Sequence, residues 1–331
     1  MVSSIVVEAN AMTSAKPATM PSADFAGRVP PDGTALISRE DLSLLNRLSN
    51  GPAARRAFSH LFTITTGGLL WAQAALPWPL RLVGLVVCGL GLATCFAGLH
   101  ECSHRTAFRG RSLNDLAAWI FGLLSFYNAT AYRRYHQWHH RYTHQPGLDP
   151  ELDDPVPTTA WAYLLELSGW HWWTGKFKGY AQLLWGDLSK VPYLNAELIP
   201  KVRRSVWLQF SIYGALAAAS LVHANGFLFW FWLLPLAVGQ PFLRFVLLAE
   251  HSGCAFSSDG TVNTRTTLTT APVRWLMWNM PFHAEHHLYA SIPFHALPKA
   301  HGHVASHLQH LDRGYVRVHR LLLSNLSALR A

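Results

Sequence analysis

The chain has 331 residues, of which 50% are hydrophobic and only 14% are charged. Ordinary soluble domains carry about 25% charged residues, so this composition argues against a soluble protein and for one that is partly solvated by lipid. Basic residues exceed acidic ones by nine, but they lie beside apolar runs and form no binding stripe, which excludes nucleic acid and fits an anionic membrane surface.

The N-terminal region is predicted to have two parts. Residues 1–37 are rich in Ala, Ser, Pro and Gly, and we expect a disordered cytoplasmic tail there, followed by one membrane domain over residues 38–331. The segment "SREDLSLLNRLSN" begins with a capping serine, Ser38, and places Leu42, Leu45 and Leu48 at helical spacing. It predicts a short helix along the membrane surface.

Four apolar stretches are long enough to cross a bilayer as helices, which takes about 20 residues. They are residues 59–76, 82–99, 206–222 and 226–249. The connections "PWPLR" and "HAN" are so short that each pair forms a hairpin. The sequence therefore predicts an all-α integral membrane protein with four transmembrane helices in two hairpins.

Basic residues predict the orientation of these spans. Arg55 and Arg56 precede the first span and Arg105 follows the second, whereas Arg81 is the one arginine in an outer turn. By the positive-inside rule, both termini and the long middle segment are cytoplasmic, as in a bacterial inner-membrane protein. Residues 113–126 and 161–173 are predicted to be interfacial helices in a cytoplasmic helical cap.

Eight of the 19 histidines fall into three compact motifs. The motifs are "HECSH" (His100, His104), "HQWHH" (His136, His139, His140) and "HAEHH" (His283, His286, His287). They lie where the second span ends, in the cytoplasmic segment, and after the fourth span. The predicted topology therefore brings all three to one face of the membrane.

Chance does not account for this pattern. One H-x-x-H-H is expected in such a chain with a probability of roughly 0.06, and two with a few parts in a thousand. In a helix the histidines of each H-x-x-H-H lie at i, i+3 and i+4 on one face. We expect each motif to direct its three imidazoles at the same point.

The first motif has a competing interpretation. His100, Glu101 and His104 fit H-E-x-x-H, in which two histidines hold zinc and the glutamate is the general base of a protease. A catalytic zinc takes three protein ligands and leaves one position open, so a protease would use few of these histidines. Eight imidazoles suffice for two metal ions, although nitrogen ligands alone do not name the metal.

The order H-x-x-x-H, H-x-x-H-H, H-x-x-H-H around two hairpins resembles the membrane fatty-acid desaturase superfamily over roughly residues 55–310. The segments "HHRYTHQPGLDPEL" and "WNMPFHAEHHLYASIPFHALP" resemble its bacterial acyl-desaturase branch. The resemblance implies a non-haem centre of two Fe ions, with O₂ as co-substrate. It also implies that the eight motif histidines are metal ligands, joined by His251 of "LLAEHSG". Glu101 then becomes a residue that orients one of the imidazoles.

The resemblance also implies a lipid-like substrate and an external electron donor. No H-P-G-G haem signature and no glycine-rich dinucleotide fingerprint is present, so we expect a separate ferredoxin, rubredoxin or cytochrome. Related hydroxylases and ketolases, acting on lipids or carotenoids, share similar motifs and remain alternatives to a desaturase. A zinc protease using "HECSH" and a metal transporter or sensor are the alternatives from other classes. His303, His307 and His310 in "HGHVASHLQH" are assigned to an amphipathic helix.

Overall fold

The computed structural model describes residues 35–153 and 157–326, and this part of the chain is mostly helical. Its first half contains α1 Arg39–Leu45, α2 Asn50–Ala72, α3 Trp78–His104, α4 Arg111–Ser125, α5 Ala129–Tyr142, a 3₁₀ turn Pro150–Asp153, α6 Ala160–Ser168 and α7 Trp170–Trp185. Its second half contains α8 Leu198–Val222, a π-helical turn Phe229–Leu233, α9 Leu234–His251, β1 Arg265–Leu268, α10 Ala271–Leu276, α11 His283–Leu288, α12 Leu297–Val304, a 3₁₀ turn Ala305–His307, β2 His310–Arg313 and α13 Tyr315–Ser324.

The predicted helix after Ser38 is present as α1. The Ser38 hydroxyl accepts a hydrogen bond from the backbone N–H of Asp41 at 3.0 Å, which caps the helix, and Leu45 is buried on its inner face. Most of the predicted tail, residues 1–34, lies outside the described residues. Ile37 is already buried in the core.

Helices α2 and α3 pack closely along their lengths because glycines face backbone across the contact. A Cβ atom at Gly67 would lie 2.3 Å from the backbone N of Cys88, and one at Gly84 would lie 2.6 Å from the backbone N of Trp71. Such distances are far below van der Waals contact, so these two positions leave no room for a side chain. The short turn between Ala72 and Trp78 makes the two helices antiparallel.

Helices α3 and α9 touch backbone to backbone at a second glycine pair. A Cβ atom at Gly239 would lie 2.0 Å from the carbonyl O of Gly89, and one at Gly89 would lie 3.0 Å from the N of Gly239. His100 lies eleven residues beyond this contact on α3 and His251 lies twelve beyond it on α9. At 1.5 Å per residue, both histidines are about 17 Å from the crossing. Their contact with one common histidine, His283, shows that they lie at the same end of the pair.

Three helices of the described chain are long and apolar enough to cross a membrane: α3, α8 and the continuous helix Phe229–His251. They contain the predicted spans 82–99 and 206–222 and most of 226–249. The remaining predicted span, 59–76, falls largely on α2, which has 23 residues but includes Arg55, Arg56 and His60 and is less apolar. Its outer face is nevertheless apolar, since Phe58 and Phe62 are both more than 60% exposed.

A small parallel sheet lies in the C-terminal region, where the sequence predicted helix alone. β1 pairs with β2 from Arg265 with His310 to Leu268 with Arg313. The amphipathic helix predicted for "HGHVASHLQH" is present only as far as Val304 and is wrong beyond it. His303 lies in the last turn of α12, His307 is in a 3₁₀ turn and His310 begins β2. Tertiary pairing with β1 overrides the helical spacing of these histidines.

We expect Gly239→Ala to destabilise the protein, because the new methyl group would overlap the Gly89 carbonyl, which cannot rotate away as a side chain would. The loss should be about 1–3 kcal/mol, measured as a lower midpoint of thermal unfolding in detergent. Gly214→Ala on α8 is the matched control, since a Cβ there meets no atom within 4 Å. An unchanged midpoint for Gly239→Ala would contradict the described contact.

Candidate metal centre

All nine histidines predicted as metal ligands come together in the interior. Eight of them are buried and His104 is half-buried. They come from the C-terminal ends of α3 and α9, from α5 and from α11. Their relative positions define two groups. We call them the first group, consisting of His100, His104, His136, His140 and His286, and the second group, consisting of His139, His251, His283 and His287.

The first group has the geometry of a five-nitrogen site. One ring nitrogen from each of its members lies within 4.8 Å of the others. Nε2 of His140 is 3.0 Å from Nε2 of His136 and 3.1 Å from Nε2 of His286. Two nitrogens bound at right angles to one ion, each about 2.1 Å from it, are separated by about 3.0 Å. The observed spacing is therefore that of neighbouring ligands on a single ion.

The second group is arranged in the same way. One ring nitrogen from each of His139, His251 and His287 lies within 4.8 Å of the other two. Nε2 of His283 adds a fourth, because it is 3.1 Å from Nε2 of both His251 and His287. The residues present therefore fit two metal ions rather than one.

The prediction that each H-x-x-H-H motif directs three imidazoles at one point is wrong. In α5, His136 and His140 join the first group, whereas His139 joins the second. In α11, His283 and His287 join the second group, whereas His286 joins the first. Residues at i and i+4 are separated by about 40° around a helix, whereas i+3 and i+4 are about 100° apart. Each i, i+4 pair consequently shares a group, and the remaining histidine of the motif bridges to the other.

Burial keeps these imidazoles neutral and able to bind a cation. Burial is the largest cause that lowers the pKa of His136, His140 and His287 well below the ordinary value, and neighbouring histidines add to it. Burial also lowers the pKa of His286 to about 3. Both ring nitrogens of His100 are buried and have no hydrogen-bond partner among the described residues. A buried polar atom without a partner is costly, and a metal ion would satisfy it.

Residues outside the motifs hold the second group in orientation. Asp149 accepts a hydrogen bond from Nδ1 of His139 at 2.9 Å, and the carbonyl O of Asn263 lies 3.2 Å from Nδ1 of His251. The Thr143 hydroxyl lies 3.2 Å from Nδ1 of His287. Bonds of this kind fix the ring and its tautomer, leaving Nε2 for a metal. Sequence reasoning missed all three, although Asp149 stands in the segment "HQPGLDPEL" that follows the second motif.

The hydrogen bonds of Glu101 do not support the prediction that it orients an imidazole. Its carboxylate accepts from the Thr106 hydroxyl at 2.6 Å and from the backbone N–H of Phe294 at 3.1 Å. The bond from Phe294 ties the end of α3 to the segment between α11 and α12, and the bond from Thr106 is local. Glu101 therefore fixes the position of one motif relative to another through the backbone.

A cavity reaches both histidine groups. Its walls include His100 and His136 from the first group and His139 and His283 from the second. Four apolar or aromatic side chains and two carboxylates complete them: Phe96, Tyr132, Leu247, Met280, Glu151 and Glu250. A small ligand in this space would lie next to histidines of both groups.

A family model for fatty acid desaturases matches residues 76–319. The chain belongs to the fatty acid desaturase family. This desaturase is therefore an oxidoreductase of membrane type, and its two histidine groups could hold metal ions. Family membership and nine converging histidines together exclude the zinc protease and the metal transporter or sensor.

Three curated relatives of this desaturase have names that specify different substrates. It is 26% identical over 254 residues to an sn-1 oleoyl-lipid 12-desaturase of Synechocystis sp., a match covering 69% of each chain. It is 28% identical to a sphingolipid delta(4)-desaturase/C4-monooxygenase of Rattus norvegicus, covering 70% of this chain and 66% of that protein. It is 26% identical to a dihydrorhizobitoxine desaturase of Bradyrhizobium elkanii, covering 73% and 70%.

We expect Asp149→Asn to weaken metal binding by about ten-fold, because the neutral amide no longer supports the imidazole of His139 as a carboxylate does. Retention of metal during dialysis against increasing chelator would measure this. Asp187→Asn is the control, since Asp187 is exposed and accepts hydrogen bonds from Ser189 in its own loop. Equal retention by the two variants would contradict the role of Asp149.

Proposed function

We propose that the protein is an O₂-dependent di-iron desaturase that introduces a double bond into a fatty acyl chain or a similar apolar chain. The observation that carries the proposal is the pair of histidine groups, with five and four converging imidazoles on one cavity. The reaction removes two hydrogen atoms from adjacent carbons. Together with two electrons and two protons from outside, these reduce one O₂ to two waters.

Iron fits the donor set and the reaction. Imidazole suits iron, copper, nickel and zinc, but zinc has no redox chemistry and cannot take part in an oxidation by O₂. When bound, two iron ions would supply the activation of O₂ and the removal of hydrogen from an unactivated C–H bond. His100, His104, His136, His140 and His286 would hold one ion, and His139, His251, His283 and His287 the other.

The protein's own part is to position the substrate and to exclude water. Phe96, Leu247 and Met280 form an apolar side of the cavity. Transfer of an alkyl chain from water to this surface is therefore favourable. The ring of Tyr132 stacks on that of His136 with centroids 5.2 Å apart, which keeps that imidazole in place. No side chain has to act as an acid or a base toward the substrate.

Hydroxylation is the second candidate. The name of one relative joins the two activities, since the rat protein is a sphingolipid delta(4)-desaturase/C4-monooxygenase. The two reactions share the first hydrogen abstraction and differ in what the carbon radical does next. The head group of the substrate and the position of the new bond depend on the depth and bend of the cavity.

We further propose the topology and the setting. Four spans in two hairpins, with α2 as the first, would place both termini, the cap and the histidine groups on the cytoplasmic side of a bacterial inner membrane. Arg105, Arg109 and Arg111, which follow α3, support this orientation. A basic face next to the metal centre favours an acidic ferredoxin, rubredoxin or cytochrome as the electron donor. We take residues 38–331 as one domain.

Metal analysis tests the centre directly. Detergent-purified wild type should contain about two irons per chain, and His286→Ala should lose at least one of them, because His286 is a member of the first group. His303→Ala is the matched control, since His303 lies outside both groups at the end of α12. One zinc per chain, unaffected by His286→Ala, would overturn the proposal.

Lipid analysis tests the reaction. A host that expresses the wild-type chain with a compatible electron donor should accumulate acyl chains with one additional double bond, and only when O₂ is supplied. His303→Ala should do the same, whereas His286→Ala should not. Products that gain an oxygen atom instead of losing two hydrogens would establish the hydroxylase.

A further inference from the structure

Glu250 occupies a position that the nine histidines do not explain. It is the residue before His251 at the end of α9, it is 7% exposed, and it lines the cavity between the two histidine groups. Its Oε2 lies 3.5 Å from Nε2 of His283. Its Oε1 is buried and, within the part of the chain that the structure describes, has no hydrogen-bond partner.

A buried carboxylate with an oxygen that has no hydrogen-bond partner reduces the stability of the folded protein. Burial of an ionised group is tolerated when the charge is paired or binds a metal. Among the described residues, the one ion-pair contact of Glu250 is with His283, and no Lys or Arg nitrogen lies within 4.0 Å of its oxygens. Comparable carboxylates of the chain are better satisfied: Asp149 accepts from His139 and from two backbone N–H groups.

The oxygen of Glu250 lies where a ligand of the second group would lie. His283 is the common neighbour, since its Nε2 is 3.1 Å from that of His251 and 3.1 Å from that of His287. Ligands of one ion are separated by about 3.0 Å at right angles and by about 3.4 Å at tetrahedral angles. The 3.5 Å separation of Glu250 from His283 is close to the second of these values.

The ligand count points the same way. The first group has five imidazoles and the second has four, so one place on the second ion is without a protein ligand. We propose that Glu250 is the fifth protein ligand of the second metal ion and supplies one carboxylate oxygen from the cavity side. This inference rests on the proposed di-iron function.

Such a ligand changes the electrostatics of the centre. Nine neutral imidazoles leave the charge of two divalent ions uncompensated in a dry interior, and one carboxylate reduces the net charge there. An oxygen donor also makes the two ions unequal, because the other ion has nitrogen ligands alone. The second carboxylate of the cavity, Glu151, has an oxygen 3.7 Å from Nε2 of His139 and is the competing candidate for this role.

Glu250→Gln tests the assignment, since it keeps the shape of the side chain and removes its charge. We expect one of the two irons to be released at least about ten-fold more readily to chelator than in wild type. The Mössbauer spectrum of ⁵⁷Fe-loaded protein should show one changed doublet and one unchanged doublet. Glu166→Gln, which alters a buried carboxylate of α6 outside both groups, should release iron and give a spectrum as wild type does.

Thermal unfolding separates a ligand from a structural residue. Without metal, Glu250→Gln should unfold near the wild-type temperature, because the amide keeps the shape of the side chain and the carboxyl group has only the one ion-pair contact, with His283, among the described residues. With iron bound, it should gain less stability than wild type. A structural role for Glu250 predicts instead a lower unfolding temperature in both conditions.

Two results would overturn the inference. One is a Glu250→Gln protein that retains two irons with wild-type release and spectrum, and the other is loss of one iron in Glu151→Gln but not in Glu250→Gln. Failure of the proposed function is distinguishable from both, since wild type itself would then lack two irons.

Discussion

The backbone contact between α3 and α9 is the constraint on which the metal centre depends. Gly89 and Gly239 allow the two helices to touch, and from that contact each helix runs a nearly equal distance to its histidine. His100 and His251 are thereby held at one end of a rigid pair. Two other helices, α5 and α11, then bring the imidazoles of the second and third motifs to this end of the helix pair.

Helical geometry turns three similar motifs into two different sites. Every i, i+4 pair within the three motifs shares one group, and the third histidine of α5 and of α11 joins the other group. Each of these two helices therefore contributes to both groups. A shift of either helix would displace imidazoles of both groups together.

Burial determines what the site can do. Imidazoles that stay neutral in a dry interior keep their lone pairs for metal, while Asp149, Thr143 and the Asn263 carbonyl hold the other ring nitrogens. The same exclusion of water favours an apolar ligand next to the histidines. Two buried carboxylates near the histidines differ in this respect: Glu101 accepts hydrogen bonds from Thr106 and Phe294, whereas Oε1 of Glu250 has no hydrogen-bond partner among the described residues.

The sequence by itself determined the helical membrane class, the family and the nine converging histidines, because these follow from apolar length and from residue type at fixed spacing. The start of α1 at Ser38 followed from local capping in the same way. Tertiary structure alone decided how the histidines divide, since that depends on which elements face each motif. It also decided the pairing of β1 with β2, the hydrogen bond that Asp149 accepts from His139, and the surroundings of the Glu250 carboxylate. These features depend on how the chain folds back on itself, and helical spacing or residue type does not encode them.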